Sequence, residues 1–76
     1  MKKRLCVLQV APKDPNSEHV LFFKNKEQCD FYFVTHDFEN NDALKFCPNT
    51  KWAETRNTLA ELVPKIYDYY AFIDYD

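Results

Sequence analysis

Residues 20–26 read VLFFKNK, four apolar side chains followed by two lysines flanking an asparagine. Periodicity alone lets such a run be a buried strand or a piece of helix. What lies on either side decides between them. Upstream, residues 5–11 (LCVLQVA) are apolar and β-branched enough for a buried strand. Downstream, residues 30–36 (DFYFVTH) are aromatic and β-branched, the clearest strand of the chain. Two parallel strands need a crossover between them, usually a helix. Residues 20–26 are therefore read as that helix, with a hairpin strand as the alternative. Ahead of it, residues 12–17 (PKDPNS) form a turn cluster, Ser17 is the expected cap, and Glu18 suits the positive end of the helix.

Beyond the second strand, residues 37–42 (DFENND) read as a polar loop and residues 43–47 (ALKFC) as a short edge strand. Pro48, Asn49 and Thr50 mark a helix entry, with Asn49 or Thr50 as cap. Residues 51–63 make the best helix, stopped by Pro64, and residues 67–73 a final strand. This alternation predicts an α/β fold: a small, mostly parallel sheet with crossover helices, in a single domain over residues 1–76. No internal repeat, linker or low-complexity tract interrupts it.

Composition narrows the function. The chain has 76 residues, 46% hydrophobic and 17% aromatic, which predicts a packed core rather than disorder. Ten basic residues against twelve acidic leave a net charge of −2, and the sole basic block is Lys2, Lys3 and Arg4. Nucleic acid is not an expected partner, because neutralising a phosphate backbone takes clustered Lys and Arg. The three cysteines, Cys6, Cys29 and Cys47, are odd in number and widely spaced. Buried free thiols in a reducing compartment are expected, not a disulfide framework or a zinc site. The start, MKKR followed by LCVLQVA, is superficially leader-like, but Gln9 breaks its apolar part and Pro12 and charges follow at once. It is read as a first strand, and the protein is placed in the cytoplasm. No segment approaches the ~20 apolar residues of a membrane span. Glycine is absent, which excludes glycine-rich phosphate loops. Phosphate would have to be met another way, for which a metal ion on carboxylates is the obvious means.

In open parallel sheets ligands collect at the carboxyl ends of the strands. Three segments sit there: Pro12-Lys13-Asp14, His36-Asp37 and Asp74-Tyr75-Asp76. Strand alternation puts Asp74 and Asp76 on one side and Tyr75 on the other. Repulsion between two such carboxylates is relieved by a shared proton or by a divalent cation, and Mn²⁺ or Mg²⁺ completes its shell with phosphate oxygens and water. The plainer reading of two terminal acids is a solvated tail. Winding residues 51–63 at about 100° per residue puts Trp52, Leu59, Leu62 and Val63 on one side, with Arg56 in the same stripe. Arg56 either snorkels past Trp52 or brings its planar fork to a strand-end acid or a phosphate. Asp14 and Asp37 are simple loop acids or hold a ribose or base edge. His19 and His36 lack ligand-like spacing, and Ser17, the one serine, is not placed for a Ser-His-Asp arrangement.

The segments WAETRNTLAEL (residues 52–62) and YDYYAFIDYD (residues 67–76) resemble the N-terminal half of a glycosyltransferase of the A-type, or nucleotide-diphospho-sugar transferase, fold. The likeness is to its large inverting family, in which a helix carrying Arg-Asn, here Arg56-Asn57, precedes an apolar strand ending in D-x-D. LCVLQVAP and DFYFVTHD sit where that family's first two strands would, so the layout covers nearly the whole chain. The resemblance implies a Rossmann-like half of that fold, a nucleotide-diphospho-sugar donor, and Mn²⁺ or Mg²⁺ bridging its diphosphate. It implies Asp74 and Asp76 as metal-site residues, with Asp74 also near the donor ribose. Pro12, Asp14 and Asp37 would lie by the nucleobase or ribose, and Arg56 would order the pocket. An inverting transfer also needs a general base for the acceptor hydroxyl, and the chain offers no candidate. The expectation is a donor-site half, inactive alone: a truncated gene product, a fragment, or one piece of a split protein whose complementary polypeptide supplies the acceptor half.

Two rivals stand beside it. One Trp, five Tyr and seven Phe in so short a chain suit a non-catalytic α/β module whose aromatic surface binds another protein. A phosphatase of the haloacid dehalogenase type also uses D-x-D after an apolar strand, but there the motif opens the domain, whereas here it closes the chain.

Overall fold

The computed structural model describes residues 4–48 and 50–75. Asp76, one of the two expected metal-site acids, and Asn49, one of the two expected caps, lie outside the described residues. The order of elements is β1 (Leu5–Ala11), α1 (Ser17–Lys24), β2 (Cys29–Thr35), α2 (Trp52–Leu62) and β3 (Tyr69–Phe72). The strands form one sheet in the order β2-β1-β3, with β1 pairing parallel to both neighbours. Leu5 is level with Cys29 on one side and Tyr69 on the other. Residues 20–24 of the ambiguous stretch are thus helical, and the segment provides the crossover that parallel pairing of β1 and β2 requires.

The central position of β1 explains its composition. One face, with Cys6 and Leu8, joins Val34, Cys47, Leu59, Val63 and Tyr67 in the core beneath α2. On the opposite pleat Val7, Gln9 and Ala11 are also buried. A strand covered on both sides must be apolar throughout, and Gln9 is its one polar exception.

Local details depart from the sequence reading for physical reasons. Asn16, not Ser17, caps α1: its Oδ1 accepts from the main-chain N–H of Glu18 (3.0 Å) and His19 (3.3 Å). Residues 43–47 make no strand, because their pairing narrows to a single parallel bridge between Thr35 and Phe46. Thr50 does not cap α2; its hydroxyl turns back to the carbonyl of Cys47 (2.7 Å), and Lys51 occupies the cap position without a side-chain bond. The last strand is shorter than residues 67–73, since the Tyr67 N–H goes to the Tyr70 hydroxyl (3.2 Å) and the ladder begins with Tyr69 N–H on Arg4 O (2.8 Å).

The apolar stripe of α2 faces the core through Leu59 and Val63, but two of its members stay outside. Trp52 is 60% exposed and Leu62 45%, whereas Thr55, Leu59 and Val63 are buried. Thr55 enters the core because its hydroxyl bonds back to Lys51 O (3.0 Å) and brings no unpaired donor with it. After Pro64, the Lys65 ammonium donates to the carbonyls of Ala60 and Val63, closing the end of the helix.

A tyrosine cluster seals the other end of the core. The Tyr67 hydroxyl donates to the Asp30 carboxylate and contacts the Tyr32 hydroxyl (3.1 Å). Burial, reinforced by Asp30 and Tyr32, pushes the Tyr67 phenol well above its ordinary range. Burial, with Asp30 adding to it and Lys65 opposing, pushes the Cys6 thiol from 9.0 up to about 11. Both groups are raised on folding, so their contribution is complete below the unfolded values and is lost as pH climbs through the folded ones. The urea midpoint should therefore fall between about pH 8 and about pH 10.5, and Cys6→Ala should flatten that fall. A midpoint constant over this range would contradict the burial of these two groups as neutral species.

Candidate functional site

The sheet order sets the site. From β1 the chain crosses to β2 on one side, and from β2 it returns across β1 to β3 on the other. Connections leaving neighbouring strands in opposite directions open a crevice at their carboxyl ends. A cleft of about 670 Å³ lies there. Val10 and Pro12 come from the end of β1, His36 and Asp37 from the turn after β2, Trp52 and Arg56 from α2, and residues 72–75 from the end of β3.

Main-chain bonds bring the first two turns together. The His36 N–H donates to Ala11 O (3.1 Å), and the Asp37 and Phe38 N–H groups both donate to Pro12 O (3.0 and 3.1 Å). The Asp37 carboxylate also meets His36 Nδ1 (2.9 Å), so an acid and an imidazole stand side by side on the rim.

Arg56 forms the wall of the cleft nearest α2. Its guanidinium carbon lies 4.5 Å from the Trp52 ring centroid and 4.3 Å from that of Phe72. The weakly hydrated guanidinium thus lies against two aromatic rings. Its Nε is buried with no hydrogen-bond partner. An arginine held this way has lost most of its freedom before any anion arrives, and a planar oxyanion suits its edge. Trp52 opens α2, so the helix end without a side-chain cap borders the same cleft and adds partial positive charge to it.

The structure therefore gathers Pro12, Asp37, Arg56 and Asp74 around one cleft. Asp14 is not among them. It lines a separate depression with Asn40 and Asp42, where Asn40 Nδ2 donates both to Lys13 O (2.8 Å) and to Asp14 Oδ1 (3.1 Å). Asp74 is exposed at the cleft mouth, two residues past the end of β3, so pleat alternation no longer governs where it points. Among the described residues no three His, Cys, Asp or Glu side chains are grouped to hold a metal ion. No helix among them is long and apolar enough to cross a membrane.

Phe72 and Gln9 are parts of this region that the sequence reading did not assign to a site, while His36 was placed at a strand end without a role. Phe72 was legible only as strand. Gln9 carried a usable signal, since a buried amide inside an apolar strand needs partners. No family model, curated protein or solved structure matches this chain.

Proposed function

We propose that the cleft receives the diphosphate end of a nucleotide-diphospho-sugar, as the donor site of a glycosyltransferase-like domain working with Mn²⁺ or Mg²⁺. One observation carries this reading: Pro12, Asp37, Arg56 and Asp74 converge on a single cleft at the carboxyl ends of parallel strands. Arg56 presents a fixed edge of donors to phosphate oxygens. Pro12 and Asp37, from the ends of β1 and β2, take the nucleoside. Asp74, with Asp76 two residues on, supplies carboxylate oxygens for the metal. These cations bind through one or two carboxylates plus phosphate oxygens and water, so this small donor set fits them. When bound, the ion offsets negative charge on the leaving nucleoside diphosphate. Donor binding, rather than turnover by this chain alone, is the function assigned to these residues.

Manganese provides the test. On adding Mn²⁺ to the ¹⁵N-labelled chain, amide signals of residues 73–75 should broaden first, with those of residues 36–37 next, and chelation should reverse the effect. Broadening centred on Asp14, Asn40 and Asp42 would place the cation elsewhere and remove the reading.

The outer face of α1 supports a second reading, a protein-interaction module. None of the α1 residues is buried, and Leu21 and Phe22 are 66% and 58% exposed. A chain that stays monomeric at high concentration and captures no partner would remove this alternative.

A further inference from the structure

We infer that Gln9 and Asn16 are positioning residues for Asp74, forming a clasp that fixes the chain past β3 at the rim of the cleft. The inference rests on the donor-site reading above and adds to it how the acidic tail is held. Ile73 N–H on Leu8 O (2.9 Å) continues the ladder one residue beyond β3. Past that point two side chains take over. Gln9 Nε2 donates to the carbonyl of Asp74 (3.2 Å), and Asn16 Nδ2 donates to the carbonyl of Tyr75 (2.6 Å).

The orientation of the Gln9 amide is forced by main-chain groups that cannot exchange roles. Asn16 N–H, a donor only, points to Gln9 Oε1 (2.9 Å), and the Asp74 carbonyl, an acceptor only, faces Nε2. The same Nε2 lies 2.9 Å from His19 Nδ1. Because Gln9 Nε2 only donates, His19 Nδ1 is the acceptor of this contact. Gln9 is fully buried, in the middle of the central strand, where an apolar side chain would pack without desolvating an amide. Its polar atoms are all used to join β1, the start of α1 and the tail that carries Asp74. Asn16 does two separate jobs, because its Oδ1 caps α1 while its Nδ2 holds the tail.

That division makes the clasp testable apart from stability. Asn16→Asp keeps the capping oxygen, and a carboxylate suits a helix start, but the donor to Tyr75 is gone. The thermal midpoint should hold or rise, while affinity for UDP with Mn²⁺ falls about tenfold. Gln9→Glu keeps the acceptor for Asn16 N–H and loses the donor to Asp74. It should weaken UDP by about tenfold as well, and ¹⁵N spectra should show His19 Nδ1 changing from acceptor to protonated. If Gln9→Glu does not fold, Asn16→Asp decides the matter alone. Wild-type affinity in a folded Asn16→Asp chain, or a proton on His19 Nδ1 in the wild type, would overturn the clasp. A wild-type chain that ignores UDP and Mn²⁺ would instead overturn the donor-site reading and the positioning role with it, and the His19 tautomer would still report whether the Gln9 bonds exist.

Discussion

Replacing Arg56 by alanine is expected to weaken UDP binding by about ten- to a hundredfold, the cost of losing charge-assisted hydrogen bonds to a phosphate. The fold should survive, because Arg56 borders the cleft and is not part of the buried cluster. Arg56→Lys should recover little of the loss. An ammonium does not pack on the Trp52 and Phe72 rings as a planar guanidinium does, and it cannot offer two donors in a fixed plane. Trp52→Ala separates orientation from charge. It leaves the cation but removes one of the two rings that hold it, so affinity should fall by a smaller factor than in Arg56→Ala. Calorimetry on the three variants gives the ranking. Equal affinity in wild type and Arg56→Ala would mean that the arginine is only packing.

The largest effect on stability is expected from Leu59→Ala. Leu59 is fully buried, facing Cys6, Leu8 and Val34 from the middle of α2. Truncating such a side chain costs about 2–5 kcal/mol, the lost transfer energy plus the cavity left behind. A domain of this length has roughly 4–11 kcal/mol in total, so the variant should lose a large share of its stability and its urea midpoint should fall steeply. The cleft depends on the same packing, because α2 carries both Trp52 and Arg56. Leu62→Ala is the control. It lies on the same helix but is nearly half exposed, and its cost should stay below about 1 kcal/mol. Urea unfolding of both variants measures the difference. Similar midpoints would contradict the assignment of Thr55, Leu59 and Val63 as the buried side.

The parts of the fold legible in the sequence are those set by local composition. LCVLQVA and the aromatic run that follows the first helix read as strands, and parallel pairing between them favours a helix over the apolar run in between, against the hairpin strand that the run alone also allowed. What was not legible depends on contacts between distant residues. Asn16 and Ser17 are both good capping residues, and the choice falls on Asn16, whose amide also reaches the Tyr75 carbonyl. Trp52 looks like core on a helical wheel, but it stands at the cleft and packs on Arg56. Thr55 is polar and was not named with the apolar stripe, and it is inside because its hydroxyl is satisfied within the helix.

The candidate site divides in the same way. The rule that ligands gather at strand ends named Pro12, Asp37 and Asp74, and the misfit of a cation in an apolar stripe named Arg56; all four line the cleft. Asp14 satisfied the same rule, but Asn40 draws it into another depression. No periodicity reveals a partner that far along the chain.

The most direct test is calorimetric titration of the chain with UDP, with GDP as a parallel arm, with and without Mn²⁺, repeated on Asp74→Asn. The account predicts nucleotide binding that strengthens at least about tenfold with the metal and loses that gain in Asp74→Asn. Binding indifferent to Mn²⁺ and unchanged in Asp74→Asn would contradict it.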